Sequence, residues 1–177
     1  LISEGTQVGQ PIKLMKFQKQ FIRYIYDKPH GTSRAYLSVA RKNGKSALVA
    51  AVVLAHLIGP EAKQNSQIIS GARSRDQASL VFKLAEKMIR LSPELSKIVR
   101  IVPSQKMLIG LICNVEYKAI STESGTAHGY SPSLAILDEV AQACGPHDAF
   151  IEAIETAQGA HDGPLHIAIS IQAATDV

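Results

Sequence analysis

A short basic turn set between two apolar runs constrains this chain more than any other stretch of it. The run Ala35-Tyr36-Leu37-Ser38-Val39-Ala40 leads into Lys42-Asn43-Gly44-Lys45-Ser46, which opens a long apolar segment from Ala47 to Ile58. Strand, phosphate loop and helix in that order point to a nucleotide triphosphatase binding ATP and Mg²⁺. Consecutive backbone N–H groups at a helix N-terminus converge on an anion, and Arg41, Lys42, Asn43, Gly44, Lys45 and Ser46 are the residues placed to form that cradle. Lys45 would set a positive charge against the β and γ phosphates, and the Ser46 hydroxyl would ligate Mg²⁺. The full pattern has a glycine five residues before Gly44; Val39 stands there, so the loop is expected to enter its turn without that conformational freedom. A Gly-Lys-Ser that merely caps a helix in a solvated turn is the plain alternative.

A second motif weighs against that alternative. Leu134-Ala135-Ile136-Leu137 is continuously apolar, as a parallel strand buried on both faces should be, and it ends in Asp138-Glu139. Two adjacent carboxylates at the end of a core strand are costly unless they face a cation or a reacting group. In a phosphohydrolase Asp138 would hold Mg²⁺, directly or through water, and Glu139 would polarise the attacking water.

The wider chain fits one α/β domain. With 177 residues and 46% hydrophobic content it can bury one sizeable core. The 19 Lys+Arg against 15 Asp+Glu permit a polyanionic partner, but the basic residues are dispersed, and 5% aromatic content without Trp argues against a stacking platform for single strands. Cys113 and Cys144 have no metal-ligand spacing and read as reduced thiols of a cytoplasmic protein. The apolar stretch Ala47 to Ile58 contains His56 and is too short to cross a bilayer, so no membrane association is expected. The chain opens on Leu1 rather than Met and stops at Val177, which reads as one domain, residues 1–177, cut from a longer protein.

Periodicity predicts a helix through Leu14, Phe17, Phe21 and Ile25, a strand near Arg34 to Ala40, and a helix to Ile58 stopped by Gly59-Pro60. A strand at Gln67 to Gly71 follows. Ser74-Arg75-Asp76-Gln77 has the form of a capping box and starts a helix with Leu80, Val81, Leu84, Met88 and Leu91 on one face, ended by Ser92-Pro93. Strands are expected at Val99 to Val102, Met107 to Ile112, Val115 to Ser121, Leu134 to Leu137 and His166 to Ile171, with a hairpin turn at Cys113-Asn114 and a helix around Phe150, Ile151 and Ile154. Strands alternating with helices imply a mostly parallel central sheet flanked by helices, with the active loops at the carboxyl ends of strands.

The runs Ala40 to Ser46, Leu134 to Glu139 and His166 to Gln172, with Val8 to Lys13 and Pro29-His30-Gly31, resemble the ATPase domain of the large terminase subunit of tailed bacteriophages, in the branch that packages DNA with cohesive ends. The resemblance implies a P-loop fold of the type shared with ring ATPases, in which a catalytic Glu directly follows the acidic Asp, and it accommodates loss of the first loop glycine. It implies an ATP-driven motor, encoded by a phage or prophage and working in the host bacterial cytoplasm. Such a motor moves double-stranded DNA into a procapsid as a homo-oligomeric ring with a portal protein and a small terminase subunit. It further implies a C-terminal metal-dependent nuclease domain outside these residues.

Three more roles follow from the resemblance. Phe17-Gln18 falls where the family recognises adenine, although Phe17 also fits a helix core and Gln18 a solvated face. Ser170, with Ile171 and Gln172, falls at the motif that senses the γ phosphate. Within Ala127-His128-Gly129, His128 stands where many relatives carry an arginine that reaches a neighbour's ATP, so Arg73 or Arg75 is the candidate to act in trans. A DNA helicase or translocase of the same ATPase superclass is the rival reading; it would show helicase motifs after the acidic strand, and none is found.

Overall fold

A computed structural model describes residues 1–40, 42–72, 74–121, 130–138 and 163–170, the isolated positions 152, 156 and 158, and of Arg75 the backbone alone. The elements run α1 (Lys16–Tyr26), β1 (Arg34–Ser38), α2 (Lys45–Ile58), β2 (Gln67–Ala72), α3 (Arg75–Arg90), α4 (Pro93–Ile98), β3 (Val99–Val102), β4 (Met107–Gly110), β5 (Val115–Ser121), β6 (Pro132–Asp138) and β7 (Leu165–Ser170). The strands form one seven-stranded sheet in the order β1-β7-β6-β2-β5-β4-β3. Pairing is parallel from β1 to β5 and antiparallel through β4 and β3. The predicted mostly parallel sheet is therefore present, with an antiparallel hairpin extension on one edge. The last strand, β7, inserts between the strand that precedes the phosphate loop and the strand that ends in Asp138.

Burial on both faces explains the composition of the central strands. Ile68, Tyr117, Leu134, Ile136 and Ile167 point into one core with α2 and α3, and their alternates Ile69, Ala135 and Leu137 are buried as well. Helix α2 is apolar all round and contributes Leu48, Val49, Ala50, Val52, Val53 and Leu57 to that core. Its stop at Gly59 agrees with the Gly-Pro signal.

Two boundaries differ from the sequence reading. Ser92-Pro93 ends α3 but also begins α4: Ser92 Oγ accepts the Leu95 N–H at 3.4 Å and Pro93 takes the first helical position, which needs no N–H donor. Strand β4 stops at Gly110, opposite Val115, so the hairpin loop is the four residues Leu111 to Asn114 instead of two. Gly110 lies tight against α2, since a Cβ there would sit 2.3 Å from the Leu57 carbonyl oxygen at the end of that helix. At the start of α3, Ser74 Oγ accepts the Gln77 N–H at 3.3 Å, as the capping-box pattern requires, and its own hydroxyl points to Gln77 Oε1 at 3.5 Å. The helix expected around Phe150 to Ile154 lies mostly outside the described residues.

Near its C-terminus α2 is fastened to α1. His56, buried on α2, reaches across to Tyr26, whose hydroxyl is 2.8 Å from its Nε2. Burial, and then the charge of Lys63, lowers the His56 pKa from 6.5 to about 4. Between those values the unfolded chain takes up a proton that the folded protein refuses, so stability present above about pH 6.5 is lost as pH falls towards 4. The loss expected is roughly 3 kcal/mol at about 1.4 kcal/mol per pKa unit, and urea unfolding between pH 4 and 7 should show it. His56→Gln, which keeps an acceptor for Tyr26, should flatten that slope; an unchanged slope would assign it to other groups. Gly110→Ala should cost about 1–3 kcal/mol in the same assay at pH 7, and a neutral result would mean that α2 does not press on β4.

Candidate nucleotide-binding site

The loop between β1 and α2 opens at the carboxyl edge of the sheet, where the strand ends line up. Ser38 is in register with Ser170, Asp138 with Ile169 and with Ala72, and Ala72 with Ser121. Val39 continues the ladder, with its N–H directed at the Ser170 carbonyl at 3.5 Å, and its backbone is not left-handed. The positive φ values fall further on, at Lys42 (66°) and Gly44 (71°). The turn is thus made at Lys42, and the glycine absent from position 39 is not needed. A lysine held in the left-handed region costs about 1–2 kcal/mol.

Side-chain donors take up the carbonyls of this loop. Lys45 Nζ donates to the Val39 and Ser170 carbonyls, each at 2.9 Å, and Asn43 Nδ2 donates to the Ala40 carbonyl at 3.2 Å. Gln18 Nε2, from α1, donates to the Asn43 carbonyl at 3.3 Å. Gly44 supplies the N-cap of α2, and its carbonyl accepts from Leu48 N at 2.9 Å. The N–H groups of Lys45, Ser46 and Ala47 have no partner within the helix, as at every helix start. With its carbonyls bound by lysine, asparagine and glutamine, the loop presents amides, together with the third N–H of Lys45, to an anion.

A cavity of about 490 Å³ lies against this face. One wall is Lys42, Asn43, Gly44, Lys45 and Ser46; Gln18 and the N-terminal segment with Ile2, Ile12, Leu14 and Met15 form another. Leu80, Leu84 and Met88, one stripe of α3, complete it. The N-terminal segment is tied to α3 by an ion pair between Glu4 and Lys87. The lining is largely apolar, with Lys42, Asn43, Lys45 and Ser46 on the loop side and Ser3, Glu4 and Lys13 in the N-terminal segment, and polar groups set in an apolar cleft suit a ligand with a charged end and a flat, less polar end. Leu80, Leu84 and Met88 belong to the one apolar face that the sequence gives α3, whereas the wall made by residues 2 to 15 has no sequence signal.

These features acquire a family through comparison with known proteins. Residues 8–175 match the family described as terminase large subunit, ATPase domain. The chain belongs to that family. The large terminase subunit of Enterobacteria phage HK97 is 61% identical over 176 residues, which are 99% of this chain and 35% of the relative. The crystal structure of the HK97 bacteriophage large terminase matches with a TM-score of 0.90 and 62% identity, over 97% of this chain and 36% of that one. The large terminase ATPase domain of Thermus phage P74-26 shares the fold, with a TM-score of 0.69 at 23% identity over 89% of this chain and 64% of its own. The chain therefore spans little more than a third of the length of its HK97 relatives.

In this terminase ATPase domain the sequence-derived site residues fall into three groups. Lys42, Asn43, Gly44, Lys45, Ser46 and Gln18 meet at the cavity. Ser170 reaches the loop through its backbone carbonyl, and Asp138 stands half-buried at the end of β6, the second strand from β1, about 10 Å away at the usual spacing of roughly 4.8 Å. Phe17 does not line the cavity; it packs, partly buried, against the core. Gln18 is buried at 6% exposure, so the solvated face considered for it is excluded. Arg41, Arg73, the Arg75 side chain, His128, Glu139, Ile171 and Gln172 lie outside the described residues. Cys113 is a free thiol, and Cys144 also lies outside them. No helix among the described residues is long and apolar enough to cross a membrane.

The backbone strain makes a prediction about stability. Lys42→Gly should raise the unfolding free energy by roughly 0.5–1 kcal/mol, the relief of left-handed strain less the entropy of glycine. Gly44→Ala, with φ at 71° and Gln18 Nε2 only 3.3 Å from the new Cβ, should lower it by about 1–2 kcal/mol. Chemical denaturation of the two variants should shift in opposite directions; a shift in the same direction would place the strain elsewhere.

Proposed function

We propose that this domain binds ATP with Mg²⁺ at the Lys42 to Ser46 loop and hydrolyses it, and that the whole protein uses the cycle to drive double-stranded DNA into a procapsid. The observation that carries the reading is the loop itself, whose carbonyls are bound by Lys45, Asn43 and Gln18 so that its amides are left for a polyphosphate. The apolar cleft beside it accommodates the rest of a nucleotide, and membership of the terminase ATPase family supplies the context. A helicase of the same superclass gains no support from any observation.

The donors offered to a metal are hard oxygens, the Ser46 hydroxyl at the helix start and the Asp138 carboxylate at the end of β6. They suit Mg²⁺, which needs one or two protein oxygens besides phosphates and water. Among the described residues no group of three or more His, Cys, Asp or Glu side chains is placed to hold a metal. Bound there, Mg²⁺ would neutralise charge on the β and γ oxygens. Lys45 and the α2 N-terminus hold the polyphosphate, and Glu139 orients and deprotonates the attacking water. The proton passes to that carboxylate as the bond to the γ phosphorus forms and the bond to the β–γ bridging oxygen breaks.

Several partners belong to the same proposal: the portal protein, the small terminase subunit, a ring of identical subunits and a C-terminal nuclease domain, all in the host cytoplasm, with cohesive-end packaging. They rest on the family resemblance.

The role division is testable by nucleotide binding and single-turnover hydrolysis. Lys45→Ala should weaken ATP binding on the order of a hundredfold, the loss expected for a charge-assisted contact to phosphate. Glu139→Gln should keep binding and reduce turnover by at least about a hundredfold. Equal loss of binding in both variants would sink the division. Asp138→Asn should chiefly raise the Mg²⁺ concentration needed for half-maximal rate.

A further inference from the structure

Gln18 is the only side chain of α1 that hydrogen-bonds the phosphate loop among the described residues, and its geometry is that of a brace. Its Oε1 accepts the Met15 N–H at 2.9 Å, at the entry to α1, while its Nε2 donates to the Asn43 carbonyl at 3.3 Å. The same Nε2 lies 3.3 Å from where a Cβ on Gly44 would sit, so the carboxamide packs flush against the residue that begins α2. The side chain is 6% exposed.

A glutamine that reads adenine must offer an acceptor and a donor to the base together. Each end of Gln18 already makes one hydrogen bond, and a pose that turned the carboxamide away towards a base would leave the Met15 N–H and the Asn43 carbonyl in need of new partners, a loss comparable to what hydrogen bonds to the base would supply. The tie to Asn43 has a direct consequence for phosphate. The peptide between Asn43 and Gly44 is planar and trans, so holding its carbonyl towards α1 turns the Gly44 N–H the opposite way. We infer that Gln18 is a positioning residue for the phosphate loop, which fixes the Asn43–Gly44 peptide and strengthens binding of any triphosphate whatever its base. The inference rests on the nucleotide reading of the loop.

The test is calorimetric binding of ATP, GTP and inorganic tripolyphosphate to the full-length protein and to Gln18→Met and Gln18→Glu. Methionine keeps the packing and removes both hydrogen bonds; glutamate keeps the acceptor for Met15 and sets an oxygen against the Asn43 carbonyl. Both should weaken all three ligands by a similar factor, on the order of tenfold for one lost hydrogen bond, well below their melting temperatures. A loss confined to ATP would overturn the inference in favour of base recognition. A lowered melting temperature with unchanged affinity would overturn it in favour of a purely structural role. If only one variant folds, that variant decides. Failure of the unmodified protein to bind any of the three ligands would remove the nucleotide reading itself, an outcome distinct from a change in the variants alone.

Discussion

The N-terminus of α2 is the point on which the rest of the structure depends. A helix that is apolar on every side has to be enclosed, and enclosing it against the sheet places its unpaired N–H groups at the carboxyl edge, beside the loop from β1. The same burial presses its other end onto β4 so closely that residue 110 admits no side chain, and it draws His56 into contact with Tyr26 of α1. The core and the loop are therefore one construction, and one of the two helices that fill the core also supplies the N–H groups beside the loop.

Strand order sets the spacing at the carboxyl edge. Inserting β7 between β1 and β6 separates the loop that bears Lys45 from the strand end that bears Asp138 by one strand. The inserted strand also contributes directly, because the Ser170 carbonyl receives Lys45. The ammonium thus joins the ends of β1 and β7.

The fold is legible in the sequence where one force dominates. The all-apolar α2, the continuous Leu134 to Leu137 run and the alternation of helix and strand are all consequences of burial, and their placement follows from pattern alone. Local chemistry is less completely legible. Ser92-Pro93 looks like a stop because proline cannot continue a helix, yet the same pair begins α4, since proline suits a first turn. The extent of the hairpin loop at Leu111 to Asn114 escapes a local reading because Leu111 and Ile112 are apolar and read as strand, yet in the fold both stand exposed. The loop residues follow from the motif, whereas the wall built from Ile2 to Met15 depends on how the N-terminal segment docks on α3.

The missing glycine at position 39 shows how such a loop can keep its function while changing its composition. Glycines serve phosphate loops by letting peptide planes turn freely, so that N–H groups face the anion. Here the planes are turned by hydrogen bonds: Lys45 holds the Val39 carbonyl, Asn43 that of Ala40, and Gln18 that of Asn43. A planar peptide whose carbonyl is held on one side must present its N–H on the other. Three side-chain donors then do what backbone freedom does elsewhere, at the cost of a strained Lys42. The donors come from α1, from the loop and from α2, so the shape of this loop depends on the folded domain as well as on its own sequence. It follows that a change in α1 can alter phosphate binding without touching the ligand.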